Sequence, residues 1–372
     1  MPRKLRGVGK GGEGSRKIGG ELLGEKDTIT NKEVESAAKI LQEFDKKIDK
    51  RWVKGNLPRE LIKDKEKLNE IVLKINELLK FVEEEEKGKL IGIFKEWLKS
   101  LKLEEKPLQG QETIFKLKEA GKEVRDMVHR IDFTKVVKEP NGEEYNLFSN
   151  GVDFLLEYFP PEERVPFDVF LEAAKQDVEG KIGNNPYNRY HFAVARDKNG
   201  KIVGACSSLY FADLYAMFGG YIRVAPEMQG KGIATALYND RIKFGEKCAK
   251  EANRKLRFFI SEVEKPEEST NIKDAERRLR VFKSFGMGVL DPSSGFRYGQ
   301  TTEEGKIVPL YLMIGPINEK ISKLEWHEVA KMVIVVYKRI YRWLDKEIFW
   351  KGLGEILKSI PLQGVPIKTD YI

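Results

Sequence analysis

The spacing of apolar positions changes along the chain, and each change marks a region of different expected structure. From Asn31 to Leu103 the apolar residues recur at helical spacing. Val34, Ala37, Ala38, Leu41, Phe44 and Ile48 make one stripe, and Leu61, Leu68, Ile71, Leu78, Leu79 and Val82 make a second after a break at Gly55 to Pro58. Two stripes joined by such a break predict a helical hairpin. A third stripe, Leu90, Ile91, Phe94, Trp97, Leu98 and Leu101, follows the acidic run Glu83 to Glu86, which reads as a solvated helix end. These elements fill a helical region, residues 28–106. Pro107, Gly110 and Pro140-Asn141-Gly142 then punctuate residues 107–144, which read as a linker.

From about Tyr145 the pattern mixes periods. A helical stretch with Leu155, Leu156, Phe170 and Ala174 precedes two strand-like runs, His191 to Ala195 and Ile202 to Leu209, joined at the turn signal Asp197-Lys198-Asn199-Gly200. An apolar run from Met217 to Val224, a helix from Ile233, a strand from Leu256 to Val263 and a helix from about Asn271 to Phe285 follow, with strands near Phe296 and from Val308 to Ile314. That order predicts an antiparallel start and then a parallel step made through the helix at Ile233, an α+β arrangement. Residues 317–372 read as a C-terminal helical extension. Its first helix carries Trp326, Val329, Met332, Val333, Val336, Ile340, Trp343 and Leu344 on one broad face, expected to pack on the N-terminal hairpin or to form an oligomer contact through the helical regions.

The stretch YIRVAPEMQGKGIATALYND, Tyr221 to Asp240, holds the chemistry. An apolar run ends at Pro226, a glycine-bearing turn follows at Gln229-Gly230-Lys231-Gly232, and a helical pattern begins at Ile233. Glycines there admit backbone conformations closed to other residues and let a ligand approach the main chain. Successive amides at a helix N-terminus then make a cradle for phosphate. A Walker loop is absent, and the dinucleotide fingerprint fails at Thr235.

The same stretch resembles the signature of the GNAT acyltransferase superfamily, V-x-P-x-x-[QR]-x-x-G-x-[GA], with Val224, Pro226, Gln229, Gly232 and Ala234 on its fixed positions. The resemblance covers residues 145–316. It implies a GNAT-type mixed, mostly antiparallel sheet flanked by helices, acetyl-CoA as co-substrate, and an amine acceptor, either a small molecule or a protein. It implies that the backbone of Ile222 and Val224 pairs with the pantetheine arm, that Gln229, Gly230, Lys231, Gly232, Ile233 and Ala234 hold the pyrophosphate, and that a backbone N–H near Val224 serves the oxyanion. Two departures stand out. Phe282 occupies the position where many relatives carry a proton-donating Tyr, and Phe218 the position of the Glu of the histone-modifying branch. Glu262, with Glu264 as its alternative, then becomes the candidate base at the strand end where acceptors enter, and Tyr221 and Tyr298 the replacement acids or water positioners.

Composition adds limits to this picture. The chain of 372 residues is 41% hydrophobic and 34% charged, with a net charge of +8 and a pI near 9.0, which favours anionic partners without choosing among them. Residues 1–27 form a basic, glycine-rich tail whose Lys4, Arg6, Lys10, Arg16 and Lys17 suit an anionic partner or nucleic acid, or simply water; its formal GxGxxG at Gly9, Gly11 and Gly14 lacks a strand and a helix around it. No apolar run reaches the ~20 residues of a membrane span, so no membrane partner and a cytoplasmic location are expected. Cys206 and Cys248 read as buried thiols, and no spacing of His, Cys or Asp suggests a metal. His191 reads as a core histidine. Two function classes remain: an acetyl-CoA-dependent N-acyltransferase, and a GNAT-fold protein of structural or nucleic-acid-associated role whose catalysis Phe218 and Phe282 have weakened.

Overall fold

The computed structural model describes residues 29–101, 109–116, 118–158, 164–269 and 271–371. The basic tail lies outside them. Helix α1 (Asn31–Leu41) opens on a capping box in which the Glu33 amide donates to the Thr30 hydroxyl and the Thr30 amide to the Glu33 carboxylate. It stops at Leu41, short of the expected Ile48, and Phe44 and Ile48 are buried from the turns that follow. Two short helices come next, α2 (Lys50–Asn56), capped by Asp49, and α3 (Arg59–Lys63). Gly55, expected as a break, sits inside α2; Pro58, which has no amide to donate, starts α3 and is the true boundary. Then α4 (Lys65–Leu78) runs back along α1, and α5 (Lys87–Ser100) follows. The two expected stripes do face one another, with Val34, Ala37, Leu68 and Ile71 in one core.

The segment read as a linker contains regular structure. Thr113 bridges to Ile321, and α6 (Lys122–Asp126), strand β1 (Val128–Arg130) and α7 (Phe133–Lys138) follow. Pro140-Asn141-Gly142 turns the chain after α7, and the elements of this segment are too short to show a period; Pro107 lies outside the described residues. Two helices, α8 (Glu143–Leu156) and α9 (Phe167–Val178), share the stretch read as one. Then come β2 (Arg189–Arg196), β3 (Ile202–Phe211), β4 (Ala216–Val224), α10 (Ile233–Glu251), β5 (Phe258–Glu264), α11 (Ile272–Ser284), β6 (Gly288–Leu290), β7 (Gly299–Thr301), β8 (Ile307–Pro316), β9 (Lys323–Leu324), α12 (Trp326–Ile340), α13 (Lys346–Lys358) and β10 (Val365–Lys368). Phe296, expected in a strand, lies buried in the turn before β7.

The strands form one sheet in the order β1-β2-β3-β4-β5-β8-β6-β10-β9, with β7 added on β8. Among the described residues only β4 and β5 are parallel, joined through α10; every other pair is antiparallel. This is the α+β fold with a mostly antiparallel sheet that the sequence implied. Side chains alternate between the faces. Phe192 and Val194 pack with α8 and α9, whereas Ala193, Ala195 and Cys206 pack with Ile233 and Leu237 of α10. Helix α12 lies on the α9 face, where Phe218 and Ile260 join its core and Arg342 reaches Gln176. It ends at Ile340, so Trp343 is about half exposed instead of on the apolar face. The C-terminal helices pack against the N-terminal ones: Trp97 stacks on Trp326 with ring centroids 4.7 Å apart and donates its indole N–H to the Ile360 carbonyl at 2.8 Å.

Candidate active site

The site begins where the two parallel strands part. Strands β4 and β5 pair only from Ala216 to Gly219 against Phe258 to Ser261; β4 then runs on to Val224 and β5 to Glu264 without pairing each other. Burial along β4 changes at that point, from four buried residues to an exposed Gly220 and partly exposed residues beyond. On its other edge β4 stays bonded to β3. The bond from Ala225 N to Val203 O (2.9 Å) sets the phase of that ladder, so the amides and carbonyls of Ile222 and Val224 point away from β3 into the opening. An open strand edge of this kind can pair with an extended ligand arm. Between Cys206 and Ser208 the register slips by one residue, placing a β-bulge in β4 at Gly220 and Tyr221, beside the fork.

The end of β4 leads into the turn expected to cradle phosphate. A short turn, Pro226–Met228, precedes Gly230 at φ +75° and Gly232 at φ +85°, and Gly232 is the residue on which α10 starts. Both glycines adopt left-handed backbone that side chains disfavour, and a Cβ at either would meet nothing within 4 Å, so the space above them is open. Among the described residues the amides of Gly230 and of Gly232 to Thr235 donate to no protein acceptor, and the last three point along the axis of α10. Gln229 faces both ways: its amide donates to Val224 O at 3.4 Å and its carbonyl accepts from Arg277 of α11 at 2.8 Å. Lys231, with its amine on Met228 sulfur, adds positive charge at the rim. These groups fit a pyrophosphate.

On the α12 face of the fork stands Glu262. One of its oxygens accepts from Tyr298 at 2.5 Å and the other from Tyr341 at 2.8 Å. Burial pushes the Glu262 carboxyl above its ordinary range, opposed by the two phenol donors, while burial and the facing carboxylate raise both tyrosines so that they keep their protons. Thus two of the expected catalytic residues, Glu262 and Tyr298, meet. Tyr221 packs on Phe170 of α9 at 5.9 Å on the same side of the sheet. Glu264 is taken up by Arg278, at 2.5 Å, and by Ser269, which separates it from Glu262 in role. Tyr341, the residue that caps the C-terminus of α12, comes to Glu262 only through the docking of that helix. Phe218 stacks near Phe211 and Phe282 packs against Tyr238, so neither departure is offset by a proton donor at its own position.

The opposite face holds a second polar cluster. His191, fully buried, meets Asp240 at 2.7 Å, and Asp240 also binds Arg130 at 2.6 Å. Burial alone would raise Asp240, but His191 and Arg130 overcome it and hold its carboxyl at about 2. Burial would likewise depress His191, and the bond to Asp240 outweighs it and raises the imidazole. Cys206 lies diagonally across from His191 on the same face; burial raises its thiol, and Arg241 and His191 more than offset that. Among the described residues no group of three or more His, Cys, Asp or Glu side chains is placed to hold a metal, and no helix is long and apolar enough to cross a membrane.

A parallel strand pair therefore opens beside the glycine-led start of α10. Residues 188–276 match the family model described as the acetyltransferase (GNAT) domain. Comparison with curated proteins gives no match. Among solved structures the chain is similar to a putative GNAT acetyltransferase from Bacteroides thetaiotaomicron, at 17% identity over 59% of this chain and 99% of that one, with a TM-score of 0.38. It is also similar to a phosphinothricin acetyltransferase from Sinorhizobium meliloti in complex with AcCoA, at 15% identity over 51% of this chain and 87% of that one, with a TM-score of 0.31. A spermidine N-acetyltransferase chimera from Vibrio cholerae matches at 15% identity over 51% and 95%, with a TM-score of 0.32.

Proposed function

We propose that this protein transfers an acetyl group from acetyl-CoA to an amine, with Glu262 as the base. The observation that supports this most is the alignment of the unpaired edge of β4, from Gly220 to Val224, with the free amides at the start of α10. One continuous track thus offers strand-type hydrogen bonds to the pantetheine arm and N–H donors to the pyrophosphate. Acetyl-CoA supplies the activated acyl group.

The chain's own residues supply alignment and proton movement. The amine nitrogen approaches from the Glu262 side and attacks the thioester carbonyl carbon; the C–N bond forms, the C–S bond breaks, and the proton leaving the amine goes to Glu262. Charge developing on the carbonyl oxygen meets a backbone N–H of β4. Tyr298 and Tyr341 fix the carboxylate from two sides, and because both keep their protons they act as donors to it. With Phe282 buried against Tyr238, the departing thiolate takes its proton from water. Calorimetry with acetyl-CoA, followed by thiol release across a panel of amines, tests the reading. We expect saturable binding and amine-dependent CoA release; absence of both would favour a non-catalytic role for the domain.

A further inference from the structure

Arg241 is an unusual presence in the core. It lies on α10, is 1% exposed, and has no carboxylate partner among the described residues, because the neighbouring Asp240 is committed to Arg130 and His191. Its Nε has no hydrogen-bond partner among the described residues. A buried, unpaired guanidinium is costly. Beside the Cys206 thiol, what surrounds it is carbonyl oxygen and aromatic face: Nη2 donates to Ser207 O at 3.1 Å and Tyr221 O at 2.5 Å, and the guanidinium lies 5.2 Å from the Tyr238 ring centroid and 6.0 Å from that of Phe259. Ser207 stands where the β3 register slips, and Tyr221 is part of the β4 bulge opposite it. The Tyr221 amide is taken by the Ser207 hydroxyl at 3.3 Å. Both strands are therefore pinned at the point where β4 leaves β5.

We infer that Arg241 is a positioning residue for acyl transfer: it holds the bulge carbonyl of Tyr221 so that the Ile222 N–H, on the other side of the same peptide, faces the reacting carbonyl at the open edge of β4. The step from one group to the other is geometric. A trans peptide directs its C=O and N–H to opposite sides, and the ladder phase already turns the Ile222 amide into the opening. The guanidinium also polarises that peptide, since a charged donor on the carbonyl strengthens the N–H as a donor at its other end. This role rests on the acetyltransferase reading above and adds the residue that shapes its oxyanion donor.

The test uses the full-length chain and the variants Arg241→Lys and Arg241→Met. Lysine keeps the charge but presents a single point donor instead of the planar fork. We expect each folded variant to lose about tenfold or more in kcat, while the dissociation constant for CoA and the KM for acetyl-CoA stay within about threefold of the native chain. Amide hydrogen exchange at Tyr221, whose N–H is held by the Ser207 hydroxyl, should rise by at least about tenfold, with α10 and β2 unchanged. The inference is overturned by kcat within about twofold of native, by parallel loss of kcat and CoA affinity with exchange rising throughout the domain, or by failure of both variants to fold, which assigns Arg241 to the core alone. Failure of the underlying reading shows instead in the native chain, as no CoA binding and no turnover; the exchange comparison then still decides whether Arg241 sets the bulge.

Discussion

At the scale of single residues, the proposed role of Glu262 as base depends on its neighbours. A carboxylate at a strand end is ordinarily solvated and ionised well below neutral pH. Here burial raises it while Tyr298 and Tyr341 supply the hydrogen bonds that water would have given, which suits a base working near neutrality. Glu262→Gln should lower turnover by about 10²- to 10⁴-fold and leave acetyl-CoA affinity nearly intact. The pH profile carries the sign: turnover of the native chain rises with pH as the raised Glu262 carboxyl ionises and the acceptor amine loses its proton, and the first of these inflections should vanish in the glutamine variant. Tyr341→Phe removes one of the two donors. It should lower turnover by roughly tenfold and raise the Glu262 inflection, since a hydrogen bond to the ionised form is lost; kinetic pH profiles of both variants decide this.

At the scale of elements, the turn into α10 and the α10 face of β2 are where local conformation and charge count most. Gly232 holds φ +85° with open space where a Cβ would stand. A β-branched residue there costs about 1–3 kcal/mol in backbone strain, and reshaping the cradle should weaken acetyl-CoA binding by at least about tenfold. Unchanged affinity in a folded Gly232→Val protein, measured by calorimetry, would remove the cradle from the site. The His191–Asp240–Arg130 cluster makes a different prediction. Asp240, held at about 2, contributes stability that is present above its unfolded value near ~3.9 and is lost as pH falls through 2; the raised His191 contributes stability present below ~6.5 and lost as pH rises through its folded value. Asp240→Asn should therefore cost roughly 2–4 kcal/mol between about pH 4 and 6.5, and the deficit should shrink toward pH 2. A deficit independent of pH in denaturant titrations would show that packing, not charge, accounts for it.

At the scale of the whole molecule, the flanking helices complete the site. Tyr341 reaches Glu262 only because α12 is held on the sheet, and α12 is held in turn by α4, α5 and α13 through the Trp97–Trp326 stack, the indole bond to Ile360 and the ion pair of Lys338 with Glu86. Trp97→Ala should destabilise the chain by about 3–5 kcal/mol, visible as a lower denaturant midpoint. Turnover should fall before global unfolding, as the end of α12 loosens around Glu262; activity that tracks the unfolding curve point for point would argue that the helical regions leave the site untouched.

Local patterns determined much of this protein. Period-2 runs and the Asp197–Gly200 turn specified β2 and β3, and the Val224–Ala234 spacing specified strand, cradle and helix, because backbone conformation and hydrogen bonding there are set by residues within a few positions of one another. The same locality explains the omissions: β1, β6 and β10 are three or four residues long and show no period of their own, gaining strand geometry only from partners far along the chain. Glu262 could be placed at a strand end from the sequence, and Tyr298 offered beside it. That Tyr341, seventy-nine positions from Glu262, supplies the second hydrogen bond, and that Arg241 sits beneath the β4 bulge, are facts of tertiary packing. Helix α12 reads as an amphipathic helix whichever surface it covers, and a lone arginine on an apolar helix face does not reveal which carbonyls will receive it; only the folded sheet decides both.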